Sequence, residues 1–404
     1  MQGTPRADRI HIAIFGNRNA GKSSLINALT GQNLAVVSDC PGTTTDPVYK
    51  SMELLPLGPV VLIDTAGLDD TGDLGELRKG KTLEVLRKAD LALVVVDAGS
   101  SNQSDEDLLH KIMEKKIPII GVLTKIDKFG VPEDNLFSRK GIPWTPVSSK
   151  TGQGIHELKE TLGKMSKLLN DDSFGILDGI LGPHEMAVLV VPVDTGAPKG
   201  RLILPQVQTI RDVLDRDGHA VVVKENSLAE VLAKVKPKIV ITDSQAFGVV
   251  GPLVPPDILL TGFSVLYARY KGDLPFLVAG AKAIKGLKPG DRVLISEGCT
   301  HHRQPDDIGR IKIPRIVNKI VGGEINYEWS SGYGFPDNLE QFKLVIHCGA
   351  CMLNRKEMLY RLNMLKNLGI PAVNYGVLLA MHFGFLERAL EPFPEALQVW
   401  KGEE

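Results

Sequence analysis

The chain has 404 residues, of which 43% are apolar and 24% charged, and its net charge is −1. That length exceeds one ordinary core and predicts two or three domains. The balanced charge excludes a general attraction to nucleic acid or an anionic membrane. No run of about eighteen apolar residues occurs, and the opening MQGTPRADR lacks the apolar stretch of a secretory leader, so a cytoplasmic protein is expected. Four cysteines in that setting, Cys40, Cys299, Cys348 and Cys351, read as metal or redox ligands rather than as a disulfide framework.

The first β-type run, IHIAIF at 10–15, leads into GNRNAGKSS. This is G-x-x-x-x-G-K-S from Gly16 to Ser23, in the strand–loop–helix context that the motif requires. Backbone N–H groups from Gly16 through Asn17, Asn19, Ala20 and Gly21 to Ser24 can cradle phosphate oxygens, and the helix from Lys22 points its positive end at them. Lys22 is expected to neutralise the β and γ phosphates, and the Ser23 hydroxyl to hold Mg²⁺. Downstream, VVLIDTAG ends a strand in Asp64 and Gly67, an acid that orients Mg²⁺ through water and an amide that senses the γ-phosphate. LALVVVDAG reads as a buried parallel strand. A further strand ends in Thr124, Lys125 and Asp127, and the next in Ser148, Ser149 and Lys150. The Asp127 carboxylate can accept both donors of the guanine edge, a pattern adenine does not offer. Five elements in order identify a GTP-binding and GTP-hydrolysing P-loop domain over 1–170 that uses GTP/GDP and Mg²⁺.

These residues resemble the translation-factor-related GTPases, in particular the Era and tRNA-modification branch. Leu68 stands where Ras-like proteins carry a water-positioning Gln, so unaided hydrolysis should be slow. Asn19 matches the asparagine that serves K⁺ in the potassium-activated members, and such a cation would neutralise transition-state charge. In PGTTTD, Thr44 aligns with the switch threonine that closes on Mg²⁺, with Thr43 and Thr45 beside it. The family pattern has Asn where this chain has Thr124; a hydroxyl can bridge to the loop but presents no amide, so weaker nucleotide binding is expected. Cys40 reads as an incidental thiol.

The GTPase domain is expected to end with the helix IHELKETLGKMSKLL, followed by the Gly-rich link NDDSFGILDGILGPHE. MAVLVVPVD, HAVVVKE and PKIVITDS read as strands alternating with helical PQVQTIRDVLDRD and NSLAEVLAKVK. That alternation predicts a small parallel α/β connector over 171–262, suited to dimerisation. Lys199 and Arg201 read as part of a solvated loop.

Over 263–404 the pattern changes. RVLISEGCTHH is a strand with Cys299 just past its end, then His301 and His302. FKLVIHCGACMLNRKEML repeats the plan with His347 and Cys348, and Cys351 is expected at the start of a long helix. The carboxyl ends of adjacent parallel strands share a crevice where ligands bind, so the two cysteine groups can meet there. The donor set admits two readings of equal weight: a Cys₃His zinc site, or an iron–sulfur cluster on three thiolates. For the second, the fourth position is open or held by Glu297, His301, His302 or His347.

A GTPase domain, an α/β connector and a terminal C-x-H…H-C-x-x-C pattern together resemble the GTPase maturation factor of [FeFe]-hydrogenase over essentially the full chain. The resemblance implies an α/β [4Fe–4S] domain bound through Cys299, Cys348 and Cys351, with His301 and His347 in or near its shell. It implies a scaffold and carrier for a two-iron precursor. Its implied partners are apo-[FeFe]-hydrogenase, the radical S-adenosylmethionine maturases and a second copy of the chain, with neither membrane nor nucleic acid. The competing readings are a tRNA-modification or ribosome-assembly GTPase with a structural zinc module, which the balanced charge disfavours, and a redox-sensing GTPase.

Overall fold

The computed structural model describes residues 9–31, 47–65, 84–99, 103–171, 175–192, 202–298, 307–332, 335–336 and 338–402. It divides into two compact units, 1–173 and 174–404. The switch residues Thr43, Thr44, Thr45, Gly67 and Leu68 lie outside the described residues, as do Cys40, Cys299, His301 and His302. The loop with Lys199 and Arg201 does so too.

The first unit holds a six-stranded sheet. Its strands are β1 (Ile10–Phe15), β2 (Val48–Leu54), β3 (Gly58–Asp64), β4 (Leu91–Asp97), β5 (Ile119–Thr124) and β6 (Trp144–Pro146), in the order β2-β3-β1-β4-β5-β6. Only β2 runs antiparallel, as an edge strand on β3. The central strands are apolar on both faces because helices cover both. Ile12 and Ile14 join one core with Leu25 and Leu158, while Ala13 and Phe15 join the other with Leu109 and Phe137. The half-exposed VYKSMEL of β2 has no such run, which is why its strand character was not visible beforehand.

The second unit carries two four-stranded sheets, each wholly parallel. The first comprises β7 (Met186–Val190), β8 (His219–Val223), β9 (Ile239–Thr242) and β10 (Leu259–Gly262), in the order β10-β9-β7-β8. The second comprises β11 (Arg292–Glu297), β12 (Asn326–Ser331), β13 (Leu344–His347) and β14 (Ala372–Asn374), in the order β12-β11-β13-β14. One continuous apolar core joins both sheets, from Val188 and Ile241 through Leu266 and Leu277 to Ile295 and Val345. The connector therefore has no separate interior. Of its helices, Leu204–Asp215 is full length, but NSLAEVLAKVK yields only the short Leu228–Leu232. Among the described residues no helix is long and apolar enough to cross a membrane.

Candidate functional site

In the first unit the residues after β1 form a phosphate-type loop. Gly16 has φ 156°, and a Cβ there would lie 2.4 Å from the Val95 carbonyl oxygen, so β4 leaves room only for glycine. Gly21 and Asn19 both take left-handed backbone, at φ 96° and 59°, turning the chain into the helix Lys22–Thr30. Lys22 is buried, and its Nζ donates to the Gly16 and Asn17 carbonyls, at 2.8 Å each. Asn17 is buried too. Its amide donates to Asp105 (2.7 Å) and its oxygen accepts from Ser104 (3.0 Å), which ties the loop to the helix Gln103–Glu114.

Ser23 and Ser24 open the helix, and the Ser23 hydroxyl stands 3.5 Å from Asp64 Oδ2 at the end of β3. Burial pushes the Asp64 carboxyl above its usual range, opposed by the charges of Lys22 and Lys50 and the Ser23 hydroxyl. A divalent cation between Ser23 and Asp64 would reverse that bias, since cation charge favours the carboxylate. On the base side, Thr124 Oγ1 donates to the Ala20 carbonyl at 2.6 Å, so the residue that replaces the family asparagine bridges to the loop. Lys125 Nζ pairs with Asp97 Oδ2 at 2.5 Å. The exposed Asp127 is oriented by the fully buried Ser148, whose Oγ donates to Oδ1 at 2.8 Å. Ser149 and the exposed Lys150 follow in the same turn. The described nucleotide-site residues thus converge on one end of one sheet.

In the second unit β11 and β13 are neighbours, with Ser296 opposite His347. Their ends interlock. Cys348 N donates to the Ser296 carbonyl (2.9 Å), and Gly298 N returns a bond to Cys348 Sγ (3.0 Å). The Ala350 N–H also reaches that sulfur, at 3.4 Å, because Ala350 takes left-handed backbone at φ 53°. A Cβ on Gly298 would sit 2.9 Å from the Leu353 side chain, so glycine lets the turn that carries Cys351 pack against the end of β11. Two amide donors on one sulfur suit a thiolate, and Cys299 is the next residue after Gly298. This donor chemistry fits a cluster held by Cys299, Cys348 and Cys351. Cys348 and Cys351 are both half-buried. Among the described residues no group of three or more His, Cys, Asp and Glu side chains stands ready for a metal, the third cysteine lying outside them.

Two expectations change. Cys351 does not begin a helix: Arg355–Asn367 starts four residues later, and Asn354 caps it by accepting from the Glu357 N–H at 3.1 Å. Cys351 sits instead in a turn whose carbonyls, Cys351 and Leu353, accept from Lys271 Nζ at 3.1 and 2.9 Å. His347 is also engaged otherwise than as a ligand. Its Nε2 faces Arg361 at 3.1 Å and its Nδ1 the Cys348 carbonyl at 3.0 Å. Since Arg361 can only donate, Nε2 accepts and Nδ1 carries the proton. Burial pushes the ring's pKa down to about 3, the Arg361 charge adds to this, and the Cys348 carbonyl opposes it. The buried Glu297 accepts from the Tyr375 hydroxyl at 3.2 Å. Burial, and next the Glu297 charge, hold that phenol protonated. Lys271, Arg361 and Tyr375 were not visible as site residues; the one available signal was the i, i+4 pair Glu357–Arg361 on a helix face that otherwise reads as buried.

Comparison with known proteins agrees with this division. The family model for a 50S ribosome-binding GTPase matches residues 11–125, so the first unit is a GTPase domain. The model of the hydrogen maturase F dimerization domain matches 176–272, and that of its tetramerization domain 275–392. The chain belongs to the hydrogen maturase F family. In this family's terms, the helix Phe263–Lys271 falls in the dimerization segment and the cysteine strands in the tetramerization segment. Curated relatives share the front of the chain. The tRNA modification GTPase MnmE of Endomicrobium trichonymphae is 35% identical over 162 residues, 39% of this chain and 35% of that protein. MnmE of Chromobacterium violaceum is 34% identical over 165 residues, 41% and 36%. The chain thus spans about a third of the length of these relatives. Among solved structures, the G domain of the T. maritima FeoB iron transporter is 30% identical, with TM-score 0.31 and coverage of 39% of this chain and 98% of that one. Era in complex with MgGDPNP and a 16S ribosomal RNA fragment is 28% identical, with TM-score 0.35 and coverage of 38% and 55%.

Proposed function

We propose that this protein is a GTP-hydrolysing switch coupled to a three-cysteine [4Fe–4S] site, serving as scaffold and carrier of a two-iron precursor for apo-[FeFe]-hydrogenase. The observation that carries the cluster reading is the pair of amides, Gly298 and Ala350, directed at Cys348 Sγ where two parallel strands end. Amide donors stabilise thiolate charge, as a cluster ligand needs. Cys299, Cys348 and Cys351 would hold the group, which when bound supplies iron sites and a store for one electron. The chain's own residues do the remaining work. Gly298 makes room for Leu353 of the turn that carries Cys351, His347 and Arg361 fix the Cys348 carbonyl, and Tyr375 holds Glu297. The fourth position stays with Glu297, His301, His302 or an exchangeable ligand; the two bonds of His347 argue against that residue.

In the GTPase unit, Lys22, Ser23 and Asp64 hold phosphate and Mg²⁺, Thr44 and Gly67 close the switch, and Asp127 reads guanine. Asn19 would hold K⁺, whose charge when bound would offset transition-state charge in place of an arginine finger. The family's dimerization and tetramerization segments support self-association, and the radical S-adenosylmethionine maturases are the proposed source of the cargo.

Anaerobic reconstitution with iron and sulfide tests the reading. A reduced [4Fe–4S] paramagnetic signal, lost in Cys348→Ala, is expected; tight zinc binding with no cluster would instead favour the zinc-module GTPase. GTP turnover should be faster in K⁺ than in Na⁺, and equal rates would remove the role given to Asn19.

A further inference from the structure

Resting on the cluster reading above, we propose that Lys271 is a positioning residue for the cysteine site. Its ammonium clamps the turn that carries Cys351 and sets a fixed positive charge against the Cys351 peptide. Lysine at a helix end ordinarily extends its charge into water. Lys271 closes the helix Phe263–Lys271, yet it is only 2% exposed. Its Nζ turns inward to the carbonyls of Cys351 (3.1 Å) and Leu353 (2.9 Å), 80 and 82 positions away, and lies 5.6 Å from the Tyr267 ring centroid. Burying an ammonium is costly unless hydrogen bonds and π density replace its water, and all three contacts do so here.

The geometry has two consequences. Residues 351–353 belong to neither β13 nor the helix that follows, so no ladder orients their peptides. Lys271 supplies that orientation by binding the Cys351 carbonyl, and so fixes the peptide from which the thiol projects. Second, uptake of one electron makes a thiolate-bound cluster more negative, and a buried cation favours that state over the oxidised one. The lysine therefore raises the reduction potential. Tyr267, one turn earlier on the same helix, donates to Gln208 Oε1 of the helix Leu204–Asp215. The clamp is thus itself held by the layer that carries the first parallel sheet.

The test uses the full chain as wild type, Lys271→Gln, which keeps donors but not charge, and Lys271→Arg, which keeps charge. Each is reconstituted anaerobically with iron and sulfide, assayed for bound iron, and titrated with dithionite as the one-electron reductant while the paramagnetic signal is followed. In parallel, alkylation of Cys351 is timed by peptide mass spectrometry in the cluster-free chain. At the wild-type midpoint, Lys271→Gln should show an about tenfold lower reduced-to-oxidised ratio, an about 59 mV negative shift. The limiting alkylation rate of Cys351 at high pH, where the thiol is fully ionised and loss of the lysine charge no longer lowers the thiolate fraction, should rise about threefold or more, as expected when one hydrogen bond weakens, and Lys271→Arg should restore the potential. Wild-type potential and wild-type alkylation in Lys271→Gln would overturn the proposal. So would an Arg variant shifted as far as the Gln variant, since charge would then not be the cause. A wild-type chain that takes up no iron and sulfide overturns the underlying cluster reading instead, and the alkylation rates alone then decide whether the clamp exists.

Discussion

Replacing Arg361 with methionine should be the most damaging single change in the second unit outside its apolar core. Arg361 is 1% exposed and Glu357, one turn before it, 4%. Nε donates to Glu357 Oε1 at 3.0 Å, one NH1 contact reaches His347 Nε2 at 3.1 Å and another the Ser296 hydroxyl at 3.4 Å, and NH2 donates to the Gly332 carbonyl at 2.9 Å. The Phe335 ring lies 5.0 Å away. Methionine fills much of the volume but strands a buried carboxylate whose Oε2 already has no partner. Breaking a buried ion pair from one side costs about 3–5 kcal/mol, whereas replacing both partners by apolar groups is often neutral. Arg361→Met should therefore cost about 4 kcal/mol, and Arg361→Met with Glu357→Leu should recover about half of that. Urea unfolding read from tryptophan emission suits the measurement, in a Trp144→Phe background so that only Trp329 and Trp400 report. A single-variant cost under about 1 kcal/mol, or strict additivity in the double variant, would refute the reasoning.

Thr124→Val keeps the shape but removes the donor to the Ala20 carbonyl, leaving a buried acceptor unpaired. Binding of a fluorescent GDP analogue should weaken about tenfold, from a cost of about 1.4 kcal/mol, and unchanged affinity would show that the bridge does not hold the loop. Asp127→Asn should move preference from guanine toward xanthine nucleotides, as competition binding would reveal; retained guanine preference would place base reading elsewhere. The Asp178 carboxyl, although partial burial raises it, is held below its usual range by Arg216 and the Gly175 N–H. Its stabilising contribution is therefore present above the unfolded value of about 3.9 and is lost as pH falls through the lower folded value. The gap in melting temperature between wild type and Arg216→Met should shrink on acidification through that window, and a constant gap would exclude Asp178 as the cause.

The nucleotide loop could be read residue by residue because its chemistry is local: Gly16 to Ser24 are contiguous, and backbone does most of the work. The strand ends bearing the cysteines were also legible, since Val293–Ile295 and Leu344–Ile346 are unbroken apolar runs just ahead of them. What surrounds them was not. Helical periodicity continues upstream of Arg355, so Cys351 read as a helix start until the Asn354 cap ended the helix below it. His347 beside Cys348 read as a ligand because adjacency in sequence says nothing of which neighbours occupy a ring's nitrogens. The sequence around Arg361 and Lys271 does not show how deep these charges lie; long-range packing, which brings Lys271 to a turn 80 positions away, makes them interior groups.

The parallel pairing of β11 with β13 also bears on timing. Parallel neighbours need a crossover, and here about fifty residues, including the whole of β12, separate Gly298 from Cys348. Such distant pairings form slowly, because chain closure must precede any reward from contact. During synthesis Cys299 emerges about fifty residues before Cys348 and the strand β13 that leads to it. The frame around Cys348 therefore belongs to a finished chain rather than a growing one, and a truncation before β13 would lose it.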